Sequence, residues 1–213
     1  MLKLSSLFSK AAIISSALFV SALSPAFAVN REVKLAACAD SPDAVASAGL
    51  ATRNGKTVVS LTANFLGDAG CDIRPLKKAG VLARELYEQP TTFLFDFNGN
   101  KPRSSFTLFV IVDYFTNGGT LKLSKQVSFG DQNSIPLVRQ NDGTYLATVT
   151  EKALVKHFIR PDDVISKFTL DYRNADNQDP NFISTIYVNS FQFLGKTLPI
   201  DTKTPAAGCN VFR

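Results

Sequence analysis

Tryptophan is absent from this 213-residue sequence, histidine occurs once, and methionine stands only at position 1. A single imidazole excludes any metal centre built on two histidines. It leaves His157 as the only histidine available for acid–base work. That role needs a nucleophile, and no Gly-x-Ser-x-Gly elbow occurs, so His157 is read as an ordinary cation at a helix end. The 23 basic and 18 acidic residues give a net charge of +5. That is too small an imbalance for a nucleic-acid binder. No Asn-x-Ser/Thr acceptor is present, and no repeat, low-complexity tract or Pro/Gly/Ser linker divides the chain. Hydrophobic residues make up 45% and charged ones 19%, the balance of a globular chain rather than a disordered one.

The first 28 residues have the three parts of a secretory signal peptide. Lys3 and Lys10 supply the positive region, Ala11 to Val20 is apolar, Pro25 breaks the helix, and Ala26-Phe27-Ala28 fits cleavage after Ala28. The apolar run is shorter than the roughly 20 residues a bilayer-spanning helix needs, so no transmembrane segment is expected. Removing Lys3 and Lys10 leaves 21 basic residues against 18 acidic ones, a mature charge of +3. Leu35-Ala36-Ala37-Cys38 mimics a lipoprotein cleavage motif, but charged Arg31, Glu32 and Lys34 separate it from the apolar run. Secretion or a periplasmic location after cleavage near Ala28 is the expectation, with residues 29–213 forming one domain.

The mature chain reads as strands. Residues 39–56 are small and turn-rich, with room for one short strand. From Thr57 to Phe65 the period is two: Val59, Leu61, Ala63 and Phe65 share one face, and Val58, Ser60, Thr62 and Asn64 the other. A further short strand starts at Cys71, and the spacing of Ala79, Leu82, Ala83 and Leu86 allows one or two helical turns. Phe93, Phe95 and Phe97 alternate before the turn at Asn98-Gly99. Phe106 to Val112 is nearly continuous apolar sequence, as in a strand covered on both faces. After the hairpin signal Asn117-Gly118-Gly119, Leu121, Leu123, Val127 and Phe129 oppose Lys122, Ser124, Gln126 and Ser128. Tyr145, Ala147 and Val149 mark another strand. Thr150 caps a short helix from Glu151 to Phe158 that Pro161 closes. Val164 to Arg173 and Ile183 to Leu194 are the last two strands. Many short strands with almost no helix predict an all-β, single-domain antiparallel β-sandwich.

Few residues could carry chemistry. Asp96, Asp113 and Asp171 lie on or at the ends of strands, and two converging carboxylates would be the minimum for glycoside hydrolysis. Asp96-Phe97-Asn98-Gly99-Asn100 superficially resembles a calcium loop, but its glycine sits at the fourth place rather than the sixth, so a hairpin turn is the better reading. The polar loop from Asn174 to Asn181 offers a richer oxygen cluster around Asp176 and Asp179. Among the tyrosines, Tyr114, Tyr172 and Tyr187 are candidates to stack on a ligand, though the missing tryptophan removes the preferred platform.

The texture of Phe93-Leu94-Phe95-Asp96-Phe97, Leu108 to Tyr114, Phe168 to Ala175 and Thr185-Ile186-Tyr187-Val188-Asn189 resembles the β-jelly rolls of the galactose-binding-like class, many of which are carbohydrate-binding modules. The final strand of such modules commonly reads Tyr-Val-Asp-Asn; here Tyr187-Val188-Asn189-Ser190 departs from it. The resemblance covers about half the chain and implies a jelly-roll fold, carbohydrate as the ligand class, and a structural Ca²⁺ at Asp176 and Asp179.

If the last two strands pair as neighbours, Lys167, Thr169, Asp171 and Arg173 share an exposed face with Thr185, Tyr187 and Asn189. Val164, Phe168 and Leu170 then pack inward, with Tyr172 continuing their phase. The ligand-binding expectation is accordingly Asp171, Arg173, Tyr187, Asn189 and Tyr114. Three exported cysteines allow three pairings; Cys38 with Cys209 is favoured because sandwich termini lie close together, leaving Cys71 free. The function expected is a non-enzymatic binding module for a glycan. The alternatives are an envelope structural or protein-interaction domain without a small ligand, or a hydrolase on the same sandwich.

Overall fold

The computed structural model describes residues 32–74, 80–99, 106–116, 119–130, 135–174, 178–201 and 207–209, with the backbone alone for residues 74, 106–116 and 119–120. Residues 1–28, which carry the expected signal peptide, lie outside the described residues. Among the described residues, thirteen strands and two short helices follow one another. They are β1 (Glu32–Cys38), β2 (Ala46–Arg53), β3 (Lys56–Ala63), β4 (Asp68–Arg74), β5 (Val81–Leu82), α1 (Glu85–Glu88), β6 (Thr92–Asp96), β7 (Phe106–Thr116), β8 (Gly119–Ser128), β9 (Leu137–Arg139), β10 (Tyr145–Thr148), α2 (Glu151–Lys156), β11 (Val164–Tyr172), β12 (Ser184–Phe193) and β13 (Lys196–Thr197).

One sheet runs β1-β4-β11-β7-β8 with β5 on β11; the other runs β2-β3-β12-β6-β10-β9 with β13 on β12. All pairings between named strands are antiparallel. Within this, β3-β12-β6-β10 in one layer and β4-β11-β7-β8 in the other form the two Greek keys of a jelly roll. The strands β1 and β2 extend its edges. The all-β sandwich expected from the sequence is therefore the fold. No helix among the described residues is long and apolar enough to cross a membrane.

The period-two phenylalanines fill the space between the layers. Phe93, Phe95, Phe129, Phe168 and Phe193 are all fully buried, and the Phe93 ring lies about 6 Å from those of Phe95, Phe129, Phe168 and Phe191. These offset and edge-to-face contacts add to the area term.

Four sequence expectations need correction. The turn-rich stretch before Thr57 holds β2, eight residues long, and β1 precedes it. Ala, Ser and Gly predominate in β2, which therefore lacks the bulky alternation that marks a strand. In β1 the alternation of Val33 and Leu35 with Glu32 and Lys34 is short and runs into Ala36-Ala37-Cys38. The helical spacing over 78–88 yields only a single turn, α1, with β5 before it; Ala79 is outside the described residues. Asn64 is not on a solvent face but fully buried. In β11 a bulge between Ile165 and Lys167 shifts the phase, so Ile165 rather than Val164 packs inward.

The two ends of the chain are tied together. Val33 N–H donates to Pro199 and Asp201 N–H to the Val33 carbonyl, both at 2.8 Å, while Ala207 exchanges bonds with Leu35 and Ala37. This parallel tail along β1 delivers Cys209 to Cys38, and the two form a disulfide with their Cα atoms 4.5 Å apart. Cys71 is free and buried, and burial pushes its thiol well above the ordinary cysteine range.

Candidate functional site

The two strands expected to be neighbours lie in different layers: β11 between β4 and β7, β12 between β3 and β6. Asp171 and Arg173 therefore belong to one outer face of the sandwich, Tyr187 and Asn189 to the other. The shared ligand face does not form. Both strands carry the alternation of a half-buried strand, which states that two faces exist but not which strand lies alongside.

On the β3–β12 layer, directly paired residues share a face. Gly49, Ser60, Tyr187 and Asp96 stand in one row across β2, β3, β12 and β6. Arg53, at the end of β2, reaches over this row. Its guanidinium carbon lies 4.6 Å from the centroid of the Tyr187 ring, and one amino group donates to Asp96 at 3.0 Å and to Asn98 at 3.4 Å. Asn98 has φ of 51°, followed by Gly99 at 81°. Its N–H donates to the Asp96 carboxylate at 2.8 Å, so the turn fixes the carboxylate that holds the arginine. Beyond Tyr187, a bulge between Val188 and Ser190 sets Asn189 against no partner on β6. Two buried polar atoms here, Nε of Arg53 and Oδ1 of Asn189, make no hydrogen bond. A side chain at Gly49 would meet nothing within 4 Å, so the row opens to solvent on the β2 side. A guanidinium on an aromatic ring, a carboxylate, two amides and unused hydrogen-bonding atoms can together engage hydroxyl groups and a flat apolar ring.

The opposite outer face has a different character. Asp171 is 5% exposed. Burial first, and the nearby Asp68 charge second, push its carboxyl up to about 8 against the opposing pull of Arg173. Arg173 Nε donates to Asp68 at 2.7 Å and the two form an ion pair. On the same face Thr169 donates to Asp72 at 2.8 Å. Asp171 Oδ1 is buried and unpaired. A protonated carboxyl beside an arginine-bound carboxylate is the division of labour an acid–base pair requires, but here the proton faces protein. The pairings considered from sequence do not arise. Asp96 is on the other layer from Asp171, and Asp113 pairs with Val164 at the far end of β11, roughly 20 Å along the strand from Asp171 by the rise per residue.

The remaining expected positions fall as follows. Tyr114 pairs with Leu121 through its backbone, and its side chain is outside the described residues. Tyr172 is core; its hydroxyl and that of Ser184 hydrogen-bond. Asp179 Oδ1 accepts from the N–H and the side-chain amide of Asn181, while Asp176 is outside the described residues. His157 caps the C-terminus of α2, and burial followed by the Lys156 charge holds its imidazole below the usual range.

Sequence reasoning missed two features. Arg53 ends β2, a strand expected only as a short one somewhere within 39–56 and with no residue of it singled out. A cavity of about 380 Å³ lies at the end of α2, lined by Lys125, Val155, Phe158, Ile159, Arg160 and Pro161. Its signal was present, since Lys125 interrupts the apolar phase of Leu121, Leu123, Val127 and Phe129.

No protein-family model matches the chain, and no curated protein matches it. Among solved structures, one described as a structural analysis of an exo-beta-agarase is similar at a TM-score of 0.30 and 15% identity, over 81% of this chain and 24% of that one. The chain thus spans about a quarter of that structure's length. At this level nothing of that protein's activity carries over.

Proposed function

We propose that the chain is an exported, non-enzymatic binding module whose ligand is a carbohydrate, bound on the outer face of the β3–β12 layer around Tyr187, Arg53, Asp96 and Asn189. The observation that carries this reading is the Arg53 guanidinium, 4.6 Å from the centre of the Tyr187 ring and held by Asp96 at 3.0 Å, which sets an aromatic ring beside charged hydrogen-bonding groups on one outer face. Export after cleavage near Ala28 is part of the proposal, and the Cys38–Cys209 disulfide supports an oxidising compartment. A structural Ca²⁺ at Asp176 and Asp179 belongs to it as well.

The test is a glycan array with the mature chain, followed by titration of any hit against Tyr187→Ala and Arg53→Ala. Saturable binding weakened at least tenfold in both variants is expected. No saturable binding on the array, or a hit indifferent to both substitutions, removes the assignment. An envelope protein-interaction role, the second reading, is favoured by the exposed apolar residues at the opposite end of the sandwich.

A further inference from the structure

The end of the sandwich formed by β8 and α2 is apolar where it meets solvent. Leu121 is 53% exposed, Val155 50% and Phe158 79%; Leu123 is also exposed. Leu121, Leu123 and Lys125 lie two residues apart on one face of β8, the face that continues inward as buried Val127 and Phe129. Across from them, Val155 and Phe158 line the cavity together with Lys125, Ile159, Arg160 and Pro161. Among the described residues, β8 gives Lys125 to this cavity, and Leu121 and Leu123 lie further along the same face of the strand.

Phe158 is costly where it stands. The N–H of Ile159 returns to the Leu154 carbonyl at 3.0 Å and that of Phe158 to Val155 at 2.9 Å, the bonding of a helix terminus whose left-handed residue is ordinarily glycine. Phe158 occupies that position with φ of 58°. A bulky side chain in the left-handed region is strained, and here the strain holds an aromatic ring in water. Burial of Leu154 and Ile159 explains the turn but not the phenylalanine. Among the described residues the only ring contact of Phe158 is the Lys125 ammonium, 5.8 Å from its centroid.

Charge specifies what would cover this surface. The cavity is lined by two cations, Lys125 and Arg160, and no carboxylate, and neither cation has an acidic partner among the described residues. Lys152 and Lys156 add positive charge on the adjoining helix, whose one acid, Glu151, stands in its first turn. The nearby acids are engaged: Asp162 with Arg84 at 2.8 Å, and Asp163 with the Arg160 N–H at 2.8 Å. Moreover, β8 ends its sheet, so one row of its main-chain groups is available to an added strand.

We propose that this cleft is the docking site for an extended segment of a partner protein that presents apolar side chains followed by a carboxylate on one and the same face. Its main chain adds to the free edge of β8. Its apolar side chains cover Leu121, Leu123, Val155 and Phe158, and a carboxylate sits between Lys125 and Arg160. The site is separate from the Tyr187 face and stands whether or not that face binds a glycan.

The probe is a fluorescein-labelled synthetic peptide with leucine, leucine and glutamate at successive alternate positions and serine between them, titrated into the full mature chain by anisotropy; the control peptide carries lysine in place of the glutamate. The control peptide and phosphatidylglycerol vesicles are titrated in parallel, and sedimentation of the chain alone is recorded. Saturable binding of the acidic peptide is expected, with the lysine peptide at least tenfold weaker. Phe158→Gly should weaken binding at least tenfold while raising the melting temperature, because glycine relieves the strained turn; a structural phenylalanine would instead lower it. Lys125→Glu combined with Arg160→Glu should reverse the peptide preference. Absence of saturable peptide binding, stronger association with vesicles than with the peptide, or self-association that depends on Phe158 would each overturn the assignment.

Discussion

The two ends of the sandwich handle polar and apolar groups in opposite ways. At the end where β11 finishes, near Tyr172, polar groups are taken inside and tied down. Asn64 is fully buried and its side chain makes five hydrogen bonds. Its carbonyl accepts from Val45, Leu66 and Gly67 N–H groups, each at 3.1 Å, and its amide donates to the Asp43 and Pro180 carbonyls at 2.6 and 2.7 Å. A Cβ at Gly67 would stand 2.1 Å from the Val45 carbonyl, so those turns close without room for a side chain. At the other end, β8 and α2 leave leucine, valine and phenylalanine in water. The contrast teaches that the first end was shaped for stability and the second for contact, since exposed apolar area contributes nothing to the isolated fold.

The sharpest way to break this comparison is Asn64→Ala. It strands five backbone groups, three of them donors from consecutive turns, and a loss of about 4 kcal/mol is expected, read as a shift in urea midpoint at constant slope. A cost below about 1 kcal/mol would mean that the buried network does not hold that end together.

Second in size is the Cys38→Ser/Cys209→Ser double variant. The closure spans 171 residues, and its removal should cost roughly 2–5 kcal/mol. Cys71→Ser should leave non-reducing mobility unchanged, because Cys71 takes no part in the bond. Peptide mapping that joins Cys71 to either partner contradicts the arrangement.

Third comes the pH dependence of the same end. The Asp171 carboxyl titrates near 8 when folded and near the ordinary carboxylate value when unfolded, so the folded state holds the proton more tightly. Its contribution to stability is full below about pH 4 and is lost as pH rises toward 8. Asp171→Asn, which cannot ionise, should be close to neutral at pH 4 and stabilising by on the order of 1–3 kcal/mol at pH 8. Equal effects at the two pH values would show that Asp171 ionises normally.

The smallest effect belongs to the open end, where Leu121→Ser and Val155→Ser should each change stability by less than about 0.5 kcal/mol. A loss comparable to that of Asn64→Ala would erase the distinction between the two ends.

Several elements could be read directly. The alternation of Phe93 and Phe95 and the turn chemistry of Asn98-Gly99 gave a strand and its terminus. Thr150 was legible as a cap, and its hydroxyl accepts from Ala153 N–H at 3.3 Å. The pairing of Cys38 with Cys209 followed from the expected closeness of the termini. By contrast, β1 escaped notice because its alternation covers only Glu32 to Leu35. The strand β2 was expected only as one short strand because alanine, serine and glycine carry little periodic signal, so Arg53 at its end was not singled out. Asn64 looked like a surface residue because its row, Ser60 and Thr62, is polar. Its burial comes from loops that fold over it at positions 43–45 and 180.

What the sequence by itself determined is local: which stretches extend, where they turn, and that each strand has one apolar face, because periodicity and turn conformation are properties of neighbouring residues. Only the tertiary structure decided which strands lie together, since an alternating strand can pair with any other of matching phase. The choice is made by burying the inward phenylalanines of several strands, Phe93, Phe95, Phe129, Phe168 and Phe193, at once. That choice placed Asp171 and Tyr187 on opposite faces, raised the proton affinity of one, and put the guanidinium of Arg53 over the other. Electrostatics and unsatisfied hydrogen bonds depend on what surrounds a group in space, and those surroundings come from residues more than a hundred positions away in the chain.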